Sequence, residues 1–145
     1  MASIREQALA AIAIKLDAIA AYGFKRNPDR PIEAADVPII VQLDGASRMA
    51  PVQFTGSSRY LGKVAIEIYV KATPLGPTVN AGAREVVKAL LADITLGGVV
   101  VDLREVSAGA TEILSEQGSG SFALAAIAFE FDYWTAETDP ELPAP

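Results

Sequence analysis

Apolar and polar positions alternate most clearly from Ser121 to Thr135. Ala125, Ile127, Phe129, Phe131 and Tyr133 form one set, and Ala126, Ala128, Glu130, Asp132 and Trp134 the other. Large apolar groups on one side and small or acidic ones on the other give a period of two, which predicts a half-buried strand. A helix would spread Phe129, Glu130, Phe131 and Asp132 around its circumference and leave no coherent apolar stripe. The strand is far longer than the usual roughly five or six residues. Part of it is therefore expected to run past its own core or to lie against another subunit.

A helical period opens the chain. Leu9, Ile12, Leu16 and Ile19 recur on one face behind Ser3-Ile-Arg-Glu6, which has the form of a capping box. Alanines support the helix, and Tyr22-Gly23 is the expected stop, with Gly23 as a left-handed C-cap. Asn27-Pro-Asp-Arg-Pro31 reads as a loop and Asp36-Val-Pro38 as a turn. Ile39 to Asp44 is a short strand, whereas Ala46 to Tyr60 shows no sustained period and reads as a long functional loop.

Leu61 to Thr73 is the second long strand, with Val64, Ile66, Ile68 and Val70 on one side and Lys63, Glu67, Tyr69 and Lys71 on the other. Pro74-Leu-Gly-Pro77 breaks it. Thr78 to Ile94 follows as a helix capped by Thr78 or Asn80, with Val79, Ala83, Val86, Val87, Leu90, Leu91 and Ile94 inward. Gly82 is expected to weaken its first turn. Leu96-Gly-Gly98 turns the chain into a third strand, Val99 to Val106, and Ser107 to Gly120 is a polar connection.

These elements predict an α+β fold in the order α-β-β-α-β-β. Its four-stranded, mostly antiparallel sheet is covered on one face by two helices. Residues 1–136 form one domain, and 137–145 an acidic, proline-rich flexible tail. The face away from the helices displays Lys63, Glu67, Lys71, Glu130 and Asp132, with lysines and carboxylates placed to pair if the two long strands adjoin.

Composition narrows the chemistry. The 145 residues include no histidine and no cysteine, which excludes thiol chemistry, imidazole bases and most zinc sites. No apolar run is long enough for a membrane span, and no secretion signal is expected. A net charge of −6 opposes gripping nucleic acid by its phosphates, yet suits a wall that DNA slides past. Glu130 and Asp132 share a strand face, as a hydrolase pair would, but a solvated sheet face explains them more simply. Asp36, Asp44, Asp93 and Asp102 are scattered singly, without calcium-loop spacing. Leu96-Gly-Gly98 lacks the lysine and further glycines of a phosphate loop. Tyr133 and Trp134 read as a core lid or an interface anchor. Arg26, Arg30, Arg48 and Arg59 fall in expected loops, where solvated arginines are the default and interface arginines the main competitor. No catalytic, cofactor-binding or metal-ligating residue is assigned.

The helix from Ile4 to Ala21, the Arg26-Asn27 loop, the Asp36-Val-Pro38 strand entry, the Leu96-Gly-Gly98 turn and the Tyr133-x-Thr135 strand end occur in an order that resembles the tail terminator proteins of long-tailed phages and phage-derived gene transfer agents. The resemblance spans about Ile4 to Asp139. It implies a structural, non-enzymatic subunit of the virion or phage-like particle, placed at the junction of tail and neck. There a homohexameric ring caps the tail tube, stops its polymerisation and presents a surface to the head–tail connector protein. DNA crosses the ring's channel without specific binding. On that reading Arg48, Met49, Phe54 and Arg59 are the expected docking residues, and Glu67, Lys71, Glu130 and Asp132 the exposed sheet face. The alternatives are another head–tail joining or tube protein, and a small α+β domain holding an apolar ligand.

Overall fold

A computed structural model describes residues 2–54, 56–71, 75–109, 112–116, 120–136 and 139–143. Two helices, α1 (Ile4–Asp17) and α2 (Leu75–Leu91), pack on one face of a mixed sheet. Among the described residues the sheet has seven strands: β1 (Gly23–Arg26), β2 (Ile39–Phe54), β3 (Ser57–Val70), β4 (Asp102–Ala108), β5 (Glu112–Glu116), β6 (Gly120–Ala136) and β7 (Asp139–Pro143). The path across it is β1-β2-β3-β6-β4, with β5 and β7 also paired to β6. The α+β class holds. The four-stranded sheet and its simple order do not.

The period-two segment is β6, and it is the centre of the sheet. Along one edge it pairs antiparallel with β3 from Ser57↔Ala136 to Val70↔Ala123, without a register shift. Along the other it meets β5, then β4, then β7. Its large apolar set faces the helices, and Phe129 and Phe131 are completely buried there with Ile66, Ile68, Leu9, Ile12, Leu16, Val86 and Leu90. Phe131 stacks on Tyr133, which stacks in turn on Tyr60 across the β3–β6 ladder. Gly62 lies opposite Phe131, and a Cβ there would stand 2.4 Å from the ring. The glycine makes room for the aromatic.

The largest departure is the stretch 46–60, expected as a loop. It forms the outer part of a β2–β3 hairpin, and its lack of period has a geometric cause. Asp44 pairs with Val64 and Ser47 with Gly62, so β2 carries one extra residue; Met49 pairs with Tyr60 and Gln53 with Ser58, so it carries two more. The first bulge flips which side chains point inward and the second interrupts the alternation locally, so the pattern that marks a strand is lost even though the pairing continues. Gly45 sits in the first bulge, where a Cβ would lie 2.8 Å from the Lys63 carbonyl oxygen.

Smaller corrections follow from tertiary contacts. Ser3 caps α1 by accepting from the Glu6 amide, but the Glu6 side chain turns to Arg26 instead of completing a capping box. The helix stops at Asp17, and Gly23 opens β1, which runs parallel to β2. The second helix starts at Leu75, ahead of both expected caps; Pro77 falls in its first turn, where no intrahelical N–H is needed. The end expected for the second long strand, Ala72 and Thr73, lies outside the described residues with Pro74. Gly82, expected in the first turn, falls further inside the helix and packs against Tyr22 and Ile68, both of which a Cβ would meet below 3 Å. Leu91 and Ile94, expected inward, are exposed.

The third strand begins at Asp102, three residues late, and continues to Ala108 into the expected connection, which also supplies β5. Before it, Leu96, Gly97 and Gly98 turn the chain with positive φ. Asp93 fixes that turn by accepting from the Thr95 and Gly97 amides. Asp139–Pro143, inside the expected tail, pair with the end of β6; prolines are tolerated on such an edge. The rest of the tail lies outside the described residues. Gly62→Ala is expected to lower stability by about 1–3 kcal/mol through overpacking. Equilibrium denaturation of the variant and the parent chain measures it.

Candidate functional site

The sheet face away from the helices divides into three zones. At one end Ile39, Val41, Tyr69 and Phe122 form a second apolar cluster, with Ile32 and Val37 of the preceding loop packed on it. The middle is floored by half-buried Ala65, Ala126 and Ala128. At the other end stands a ladder of charge. Lys63, Glu130 and Arg104 are successive partners across β3, β6 and β4, and Leu61, Asp132 and Asp102 form the next row. Period two puts all six on this face.

Asp132 is the hub of that ladder. Its side chain is 9% exposed, and it accepts from Arg59 on one side and from Arg104, at 3.0 Å, on the other. Arg104 also reaches Glu130 at 3.1 Å and Asp102 at 3.5 Å. Burial alone would raise the Asp132 pKa, but the hydrogen bonds and charges of the two arginines more than reverse this and hold it below the usual carboxylate range. A carboxylate held ionised between two guanidiniums is a structural clamp; acid catalysis would need a proton that this setting removes.

A second network ties α1 to the sheet edge. Arg26 forms a two-pronged pair with Glu6, at 2.9 and 2.8 Å, and also donates to Asp44. Asn27 and Asp44 bond each other reciprocally, and buried Gln42 donates to Asp44 and to the Leu9 carbonyl of α1. The Glu6 pKa is lowered chiefly by its hydrogen bonds from Arg26, whose own pKa is raised chiefly by that same contact. Arg5, just before Glu6 in the first turn of α1, donates to Ser47 Oγ and to the Gly45 carbonyl, at the first bulge of β2. Helix, β1 and bulged strand are locked together here.

The expected interface residues are not all together. Arg48 and Met49 are consecutive on β2 and exposed, Met49 to 52%, and their pairing with Leu61 and Tyr60 puts them on opposite faces of the hairpin. Phe54 is at its tip, where only the backbone is described. Arg59 faces the charge ladder, bound to Asp132. Glu130 and Asp132 belong to that ladder, though Asp132 is enclosed by its arginines and not displayed as expected. Glu67 is half-buried at the other end of the face, accepting from Tyr69, and Lys71 is exposed just past β3. Lys63 opposes Glu130 in register, as the lysine–carboxylate pattern implied, but the ion pair to Glu130 comes from Arg104. Arg104 and Asp102 were missed. Their signal was Asp102-x-Arg104, with the same spacing as Glu130-x-Asp132.

Comparison with family models finds no match to this chain, and comparison with curated proteins finds none.

Because the folded Asp132 pKa lies below the unfolded value of about 3.9, the stability it adds is complete above that value and is lost as pH falls through the folded pKa. Asp132→Asn is expected to cost about 1–3 kcal/mol at neutral pH and to flatten the acid limb of the stability curve. Denaturant titrations across the acid range, on both proteins, check both effects.

Proposed function

We propose that this chain is a structural assembly subunit of the tail-terminator kind: a hexameric ring that caps the head-proximal end of a tail tube, halts its growth and meets the head connector. One observation carries the reading. The β2–β3 hairpin is built from strands of 16 and 14 residues. At ~3.3 Å per residue it is about twice as long as either helix at ~1.5 Å per residue. Its outer part thus offers Arg48 and Met49 to a neighbour instead of to its own core. A ring needs a heterologous contact, with one patch on each subunit meeting a different patch on the next, and this exposed stretch of β2 is suited to supply one side.

The outer sheet face supports the same role. Its ladder of Arg59, Asp132, Arg104 and Glu130 holds that surface rigid, and the acidic balance of the whole chain suits a channel wall along which DNA moves without sticking. Tube protein, connector protein and further copies of the chain are the partners this reading requires; a cofactor is not among them.

The purified chain, added to polymerising tail tubes, is expected to shorten them and to appear as a six-fold ring at one end in electron micrographs. Unchanged tube lengths with bare ends would overturn the reading.

A further inference from the structure

The sheet has two open margins. On one side β1 covers β2 only from Ile39 to Gln42, and contacts from Asn27 and Arg5 reach on as far as Ser47. Past that point no described strand pairs with the outer side of β2. On the other side β4 pairs with β6 alone, and its far side meets no described strand. An edge strand turns alternate N–H and C=O groups away from its one partner, which makes it a template for a further strand.

The two margins fit each other. β2 is antiparallel to β3, β3 to β6 and β6 to β4, so β2 and β4 run in opposite directions. A copy set beside this one in the same sheet therefore adds an antiparallel pair like the three already inside it. The margins also stand at one level. One row of partners crosses the sheet through Arg48, Leu61, Asp132 and Asp102, and the next through Ser47, Gly62, Phe131 and Leu103.

The side chains at the two ends of the first row are complementary. Arg48 is exposed and makes no ion pair with any described residue. The Asp102 side chain is 42% exposed, and Arg104, at 3.5 Å, is its ion-pair partner among the described residues. Sharing a row with Leu61 and Asp132 puts both on the outer face. One position further along both strands stand Met49 and Val101, on the opposite face, each apolar and more than half exposed. A sideways step without stagger thus sets Arg48 against Asp102 on one face and Met49 against Val101 on the other. A stagger of one residue breaks the pleat. A stagger of two faces Arg48 with Arg104, or carries it off the start of β4 at Asp102.

We infer that the outer part of β2 in one copy pairs antiparallel with β4 of the next, continuing the sheet from chain to chain in the register Arg48 to Asp102. This deepens the ring reading and rests on it only for closure. The contact itself is heterologous, the class that closes into rings or runs on as filaments.

The chain has no cysteine, so introduced thiols are the only ones present. Chains carrying Met49→Cys are mixed at high concentration with chains carrying Val101→Cys and oxidised. Both positions are exposed, and directly opposed cross-strand positions lie within disulfide reach. A disulfide-linked heterodimer is expected from the mixture, and a ladder of higher multimers from chains carrying both substitutions. Adding Arg48→Asp to the first chain is expected to cut the yield about tenfold, and adding Asp102→Arg to the second to restore it. Absence of the heterodimer would overturn the inference, as would an equal yield when Val106→Cys, exposed on the same edge about 15 Å away, replaces Val101→Cys. Ring-capped tubes without the cross-link would sink this contact and leave the ring reading standing. The cross-link without tube capping would do the reverse.

Discussion

The unbroken pairing of β3 with β6 is the constraint on which the rest depends. Fourteen consecutive partners, from Ser57 to Val70, hold the two strands in one register. That register decides everything on both faces. Toward the helices it sets Gly62 under Phe131 and Tyr60 against Tyr133, so the core closes around aromatic rings. On the other face it brings Arg59 within reach of Asp132, and Arg104 completes the clamp from β4. A slip of one residue would send Phe129 and Phe131 to the open face and the carboxylates into the core.

Bulges then do what a regular sheet cannot. The partner of β3 on its far side, β2, carries extra residues in two places, and the first is pinned by Arg5 from α1. Pairing is thus regular in the centre of the sheet and bulged along β2. The Arg26 network reinforces this division, since Glu6, Asp44 and Gln42 join the helix to the point where β2 leaves regularity.

What the sequence disclosed follows the same line. Where one face meets the core and the pairing is regular, as in β6 and the inner half of β3, alternation was plain and the inward residues were named correctly. Where pairing is bulged, the alternation of Ala46 to Tyr60 was scrambled and a hairpin looked like a loop. β1 and β7 were hidden for another reason: four residues beginning with a glycine, or five with two prolines, are strands only because a neighbour offers its edge. The capping signal at Ser3 was right about the helix start, yet Glu6 had a stronger partner in Arg26, which no local pattern reveals. In the charge ladder the β6 carboxylates were visible from the sequence, while the arginines that enclose them come from strands whose register had to be seen.

The way β6 is shared has one further consequence. One side of it is held by a single strand from Ala123 to Ala136, and the other by three separate pieces, with β4 in the middle and β5 and β7 at the ends. Loss of either end piece leaves the central ladder intact. Local opening is thus graded along one continuous strand, with the slowest amide exchange near Phe129 and Phe131 and faster exchange toward both extremities. The molecule carries an anchored middle and two independently yielding margins on the same segment of backbone.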